Sequence, residues 1–249
     1  MQINPKEGKF YVILLSVLFL TSLSFNFLAL KYLVYAYNKF SITRLDPLGR
    51  QFKDKFNFED KSYKFVILGD SIAYNWKLDD SLNLGIPSQT SEQIRIRSDY
   101  YRDKLHGSTL IIFAGGNDVK SLALSYEERK WSEKFKKNLE KIIENHQANF
   151  DKILVATITP VYDVPFVYKP FYGQKVKNTR KLFNETLLKL VADIKEAKPK
   201  NNKIQILNTE EILTKGKCKK DCSVDGIHLS KKGYKLLEEE LNLLNYTNQ

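Results

Sequence analysis

The 249-residue chain contains two cysteines, three histidines, two tryptophans and one methionine. Cysteine and histidine this scarce leave little from which to assemble a metal site, so neither a metal nor another cofactor is expected. The cysteines, Cys218 and Cys222 in "KCKKDCSVDG", have two open readings. They form a short-loop disulfide in an oxidising compartment, or they stay free thiols. Internal repeats and low-complexity tracts are missing, which sets aside repeat architectures. An acidic balance is missing too, since 40 Lys and Arg stand against 29 Asp and Glu, a net charge of +11. The positive residues are spread along the chain, and no nucleic-acid-binding motif accompanies them, so nucleic acid is not an expected partner. The charge suits anionic lipid head groups or acidic glycans, or it reflects a lysine-rich proteome.

Charge is wholly absent from Phe10 to Leu30, "FYVILLSVLFLTSLSFNFLAL". At about 1.5 Å per residue, this run is long enough to cross a hydrocarbon layer of roughly 30 Å. No A-x-A-like site ends it, so a retained anchor is preferred to a cleaved signal peptide. The chain then divides into a flank (1–9), a transmembrane anchor helix (10–37), a polar tether containing Pro47 and Gly49 (38–62), and a globular domain (63–249). Orientation is contested. Lys6 and Lys9 precede the span while Lys31, Lys39, Arg44 and Arg50 follow it, which leans towards a cytoplasmic domain. A Cys218–Cys222 disulfide would require the opposite side. The expectation adopted is a single-pass membrane protein with an extracytoplasmic domain.

After the tether, short apolar runs alternate with helical patterns. The runs are Lys64–Leu68, Leu82–Ile86, Thr109–Ala114, Ile153–Ile158 and Ile204–Leu207. Helices are expected over Ser91–Lys104, Tyr126–Asn149, Val176–Ala197 and Lys231–Leu244. Thr90 with Gln93, and Ser125 with Glu128, have capping-box spacing. Trp131, Phe135, Leu139, Ile142, Ile143 and His146 share one helical face. This alternation predicts an α/β fold, a three-layer α/β/α sandwich around a parallel sheet of about five strands. In such sheets, sites gather outside the carboxyl ends of the strands.

Chemistry-bearing residues fall at those ends. Ser71 follows the first run in "GDS", Gly85 ends the second in "NLGIPSQT", and Asn117 follows the third in "AGGNDV". Asp225 and His228 share "DGIHLS" in the loop before the last helix. Acyl transfer needs such a set. A serine is a weak nucleophile until a neutral imidazole takes its proton, and a carboxylate fixes the imidazole tautomer. Donors aimed at the developing oxyanion complete it. His146 reads as a core histidine and His106 as a loop residue, which leaves His228.

With these residues in order, the chain resembles the SGNH (GDSL-type) hydrolases over about residues 64–245. The G-x-S-x-G elbow of the α/β-hydrolases is missing. The resemblance implies a flavodoxin-like fold, Ser71 as nucleophile, His228 as base and then acid, and Asp225 orienting His228. It implies an oxyanion hole of the Ser71 and Gly85 N–H groups and the Asn117 side chain. Asp70 and Asp118 are expected to support turns, and "KGY" (Lys232–Tyr234) continues the likeness. Pro87 and Ser88 depart from the small, glycine-rich residues of many relatives. Trp76, Tyr162, Phe166 and Tyr168 are candidates to line a substrate pocket; the aromatics of Pro160–Lys175 also have readings as loop packing or as membrane contact. The expected function is a membrane-anchored serine esterase acting on an acyl ester, O-acetyl included, of a glycan or lipid. An O-acyltransferase with the same triad and a catalytically silent glycan- or partner-binding envelope protein are the alternatives.

Overall fold

A computed structural model describes residues 5–50, 52, 56, 58, 63–122, 126–166, 169, 173–198, 203–214, 218 and 220–246. The chain separates into two units, Met1–Leu45 and Asp46–Gln249.

The first unit is one helix, α1 (Pro5–Leu45). Its stretch Gly8–Tyr35 has a mean hydropathy of 2.2 and is long and apolar enough to cross a membrane. Three polar residues inside that stretch turn their hydrogen-bond donors back on the helix. Ser16 Oγ donates to the Val12 carbonyl at 2.8 Å, Thr21 Oγ1 to that of Val17 at 2.8 Å, and Asn26 Nδ2 to that of Ser22 at 2.9 Å. Donors met within the helix suit hydrocarbon, where no water can take their place.

The segment read as a tether, 38–62, differs from that reading at both ends. The helix continues to Leu45 and stops just before Asp46-Pro47, where the residue preceding a proline is pushed out of helical geometry. Further on, Phe56 is buried, and Phe52 and Phe58 pack on the core of the second unit.

That unit is built on a five-stranded parallel sheet. Its strands are β1 (Tyr63–Gly69), β2 (Ser81–Gly85), β3 (Gly107–Phe113), β4 (Phe150–Ala156) and β5 (Ile204–Leu207), in the order β2-β1-β3-β4-β5. This is the flavodoxin-like order, with the expected strand count. The helices are α2 (Ser71–Asn75), α3 (Ser91–Tyr100), α4 (Gly116–Ser121), α5 (Glu128–His146), α6 (Gln174–Ala197), α7 (Thr209–Thr214) and α8 (Lys231–Tyr246).

Strand side chains alternate between two cores. Val66, Leu68, Leu110, Ile112, Ile153 and Val155 meet α3, α5 and α6 on one face, where Phe135 stacks on Phe183 at 4.9 Å. Ile67, Ile111, Leu154 and Leu207 meet α2, α7 and α8 on the other. Helices on both faces explain why the strands read as unbroken apolar runs. The capping box at Thr90 is present, with its N–H donating to Gln93 Oε1 at 3.0 Å. Ser125 lies outside the described residues. His146 is buried, as expected of a core histidine, with Nε2 2.6 Å from Ser98 Oγ, and burial pushes its pKa down to about 4.

Because all strands run parallel, their carboxyl ends share one edge. Gly69 stands in register with Gly85 on one side and Phe113 on the other. Three chain segments are thus delivered to one place by the sheet alone.

Candidate active site

The turn after β1 is tightly packed. A Cβ on Gly69 would sit 2.5 Å from the Phe113 carbonyl oxygen, and one on Gly85 would sit 2.1 Å from the Tyr74 nitrogen. Glycine at 69 lets β1 approach β3 and α2, and glycine at 85 lets β2 approach α2. Asp70 caps α2, its Oδ1 accepting from the Ile72 N–H at 2.9 Å. Ser71 is therefore the first residue of a short helix directly at the sheet edge. Burial, with Asp118 adding to it, raises the Asp70 pKa to about 6 against the pull of the Ile72 N–H.

The loop before α8 supplies the partners. Asp225 Oδ1 accepts the N–H groups of Ile227 (2.9 Å) and His228 (2.7 Å), folding the loop around its own carboxylate. Gly226 takes φ +85°, and a Cβ there would lie 2.8 Å from the Asp163 carbonyl oxygen. His228 Nδ1 stands 2.6 Å from Asp225 Oδ2, and Nε2 stands 3.1 Å from Ser71 Oγ, 157 residues away. Partial burial opposes ionisation of Asp225. The hydrogen bonds from the His228 N–H and ring and from Ile227 outweigh it and hold the pKa below the usual carboxylate range. An ionised Asp225 keeps the proton on Nδ1 and turns the Nε2 lone pair to the serine.

The expected oxyanion donors are partly engaged. Asn117 Nδ2 donates to the Gln89 carbonyl at 3.0 Å and lies 3.5 Å from Asp70 Oδ2. Both hydrogens of the amide nitrogen are thus directed at protein oxygens, and the one on the longer, weaker contact to Asp70 is the one a substrate oxygen can draw away. The Gly85 N–H donates to Asn83 Oδ1 at 2.8 Å. Its single hydrogen reaches a substrate only as the shared arm of a three-centre bond. Asp118 caps α3 instead, accepting from the Ser91 N–H at 2.8 Å and the Ser91 hydroxyl at 2.6 Å. Ser88 takes φ +67°, the left-handed geometry that glycine would adopt without strain, at the position where it departs from the glycine-rich pattern.

The pocket-lining candidates part company. Trp76 is 1% exposed, so its ring sits in the core and not on the surface of the site. Its ring stacks on Tyr234 and its Nε1 donates to Glu238 Oε1 at 3.0 Å, because α2 presses it against α8. Tyr162 acts as a fastener: its N–H donates to the Gly226 carbonyl at 2.8 Å and its hydroxyl to that of Leu213 at 3.2 Å. Phe166 is 83% exposed, so its ring encloses nothing. Tyr168 lies outside the described residues. A cavity of about 20 Å³ is bordered by Asp70, Ile72, Phe113, Ala114, Gly116 and Thr157–Thr159. Cys218 and Cys222 have their Cα atoms 5.5 Å apart, a separation that a disulfide spans. With Asp221 they are the group of metal-ligand type among the described residues, one short of a four-ligand zinc site.

Three supporting residues escaped the sequence reading, and a fourth, Tyr234, entered it only as part of "KGY". Asn83 Nδ2 donates to the Ala73 and Trp76 carbonyls at 2.7 Å each. The Tyr234 hydroxyl donates to that of Ile72 at 2.8 Å. Gln89 and Arg97 form a buried pair beneath Asn117. The available signal was spacing: Ile94, Arg97 and Ser98 share the buried face of α3, where a surface arginine would not fall.

A family model described as GDSL-like Lipase/Acylhydrolase matches residues 33–241. The chain belongs to that family. As a GDSL acylhydrolase, it is an enzyme of the serine esterase type. Solved structures share its fold. A Streptococcus pneumonia protein described provisionally as a platelet activating factor is 18% identical, with a TM-score of 0.65 over 86% of this chain and 98% of that one. A GDSL-like lipase from Bacteroides thetaiotaomicron VPI-5482 is 20% identical, with a TM-score of 0.56 over 84% and 98%. An acetylxylan esterase from Geobacillus stearothermophilus is 14% identical, with a TM-score of 0.53 over 72% and 92%. Among curated protein sequences, none matches this GDSL acylhydrolase significantly.

Proposed function

We propose that this acylhydrolase is a membrane-anchored esterase whose triad is Ser71, His228 and Asp225, acting on a short acyl ester, O-acetyl included, of a glycan or lipid. The observation that carries the reading is the unbroken line from Ser71 Oγ to His228 Nε2 at 3.1 Å and from Nδ1 to Asp225 at 2.6 Å. In the first half-reaction, His228 takes the Ser71 proton as Oγ bonds to the acyl carbon, and the carbonyl π pair moves onto oxygen. The Ser71 N–H and the Asn117 hydrogen drawn from its long contact with Asp70 stabilise that oxyanion, with Gly85 contributing through its shared N–H. His228 then gives its proton to the departing alcohol and leaves an acyl-serine. Water, deprotonated by His228, attacks that acyl-serine, and His228 returns the proton to Ser71 Oγ as the acyl–oxygen bond breaks and the acid leaves.

A short acyl group is supported by the small space of about 20 Å³ beside Asp70 and Ile72, the immediate neighbours of Ser71. Anchoring is supported by the apolar stretch Gly8–Tyr35. An extracytoplasmic domain is supported by the closeness of Cys218 and Cys222, which as a disulfide belong to an oxidising compartment. The test is hydrolysis of p-nitrophenyl acetate, butyrate and octanoate by the full chain in detergent, with Ser71→Ala as the blank. Turnover that vanishes in Ser71→Ala and falls with chain length is expected; equal turnover in the two proteins refutes the triad. Reporter fusions at the C-terminus test the side of the membrane.

A further inference from the structure

Arg97 is fully buried in α3, and its partners are neutral oxygens. Nε and Nη2 donate to Gln89 Oε1 at 3.0 and 2.7 Å, Nη2 also to the Gly69 carbonyl at 3.1 Å, and Nη1 to the Leu84 carbonyl. Burial pushes its pKa down to about 9, so it remains a cation at neutral pH. A buried charge is costly, and apolar residues of similar volume often serve stability as well or better. Stability alone therefore gives no reason for an arginine here.

Its placement does. Gly69 ends β1 two residues before Ser71, and Leu84 stands immediately before Gly85 on the neighbouring strand. Gln89, the third partner, receives Asn117 Nδ2 on its own carbonyl at 3.0 Å. One rigid, planar fork thus touches the backbone behind Ser71 and behind Gly85, and grips the side chain of Gln89, whose own carbonyl holds Asn117. Charge-assisted bonds of this kind are shorter and roughly twice as strong as neutral ones, and lysine cannot reproduce their fork.

We propose that Arg97 is a positioning residue for the reaction, a buried guanidinium that fixes the spacing between the Ser71 turn, the Gly85 N–H and the Asn117 amide. This rests on the reading of those three groups given above. Arg97 touches none of the reacting atoms and acts through their supports. Misplacement of a catalytic group by about 1 Å costs on the order of 10² in rate.

The experiment compares wild type, Arg97→Lys, Arg97→Met and Gln89→Leu as full chains in detergent, on p-nitrophenyl acetate, with melting curves for each. Folded Arg97 variants are expected to lose kcat by roughly 10–100-fold while KM changes by less than about threefold. Affinity for a trifluoromethyl ketone, a mimic of the tetrahedral state, should fall by the same factor as kcat. Gln89→Leu leaves the cation in place but removes its anchor, and should lose about tenfold in kcat at the same KM. If Arg97→Met does not fold, Arg97→Lys and Gln89→Leu decide the matter. Wild-type kcat in either of those two, or a loss no larger than the unfolded fraction, overturns the proposal. Turnover that survives in Ser71→Ala instead overturns the assignment of the site, so the two failures are told apart.

Discussion

Around Ser71 the backbone is held from outside. Asn83 takes the carbonyls of Ala73 and Trp76 from β2, Tyr234 takes that of Ile72 from α8, and Arg97 takes that of Gly69 from α3. The loop from Ser223 to Leu229 is instead held largely from within. Its two ends bridge each other, and Asp225 accepts from the N–H groups two and three residues ahead as well as from the His228 ring. A part clamped by many distant side chains should lose its geometry in steps. A part organised around one carboxylate should lose it at once.

The sharpest break is at the junction of the two. His228→Ala removes the base and the only side chain by which the loop meets Ser71 Oγ among the described contacts; kcat is expected to fall by roughly 10⁴–10⁶, measured on p-nitrophenyl acetate. Asp225→Asn comes next and separates shape from charge. The amide oxygen can still accept the Ile227 and His228 N–H groups, so the loop should stay folded. The imidazole, however, loses the carboxylate that fixes its tautomer, and kcat should drop by about 10⁴. A loss below tenfold in a folded variant would mean that the carboxylate serves only the loop.

This contrast also separates what was legible in the sequence from what was not. The loop is local, and "DGIH" holds its acid, its turn glycine and its base within four positions. Two-sided burial and the strand-end placement of Ser71, Gly85 and Asn117 were legible because unbroken apolar runs alternating with helical patterns leave few arrangements besides a covered parallel sheet, whereas strand order came only with the family resemblance. The clamps were not. Arg97 meets Gly69 and Leu84 at separations of 28 and 13 residues, and Tyr234 meets Ile72 across 162, distances over which pattern carries no register. Trp76 misled for a related reason: an aromatic five positions after the serine looks like a pocket wall until α8 is known to cover it. The short helices α2, α4 and α7 escaped because five or six residues give no periodicity to read.

Asn117→Ala tests the externally held side more gently. It removes one oxyanion donor but leaves Gly85 and the Ser71 N–H, so kcat should fall by about 10²–10³ with the triad intact. A fluorophosphonate should still label Ser71, more slowly.

The smallest effect reads the comparison through stability, because the two carboxylates beside Ser71 and His228 have opposite signs. Asp70 is buried, and its folded pKa is raised to about 6. An aspartate in the unfolded chain titrates at about 3.9. Below about pH 4 both states carry the proton; as pH rises through 6 the folded state holds it longer, and stability declines by up to about 3 kcal/mol. Asp70→Asn keeps the acceptor for the Ile72 N–H and does not ionise. Its melting temperature should therefore gain on wild type between pH 4 and 7. Asp225 has a lowered pKa, so its contribution is present at neutral pH and is lost as acid protonates it. The gap between wild type and Asp225→Asn should accordingly close on acidification, where wild type draws level with or ahead of Asp70→Asn. Parallel pH profiles for the two variants would mean that the turn and the loop do not differ in the way their contacts imply.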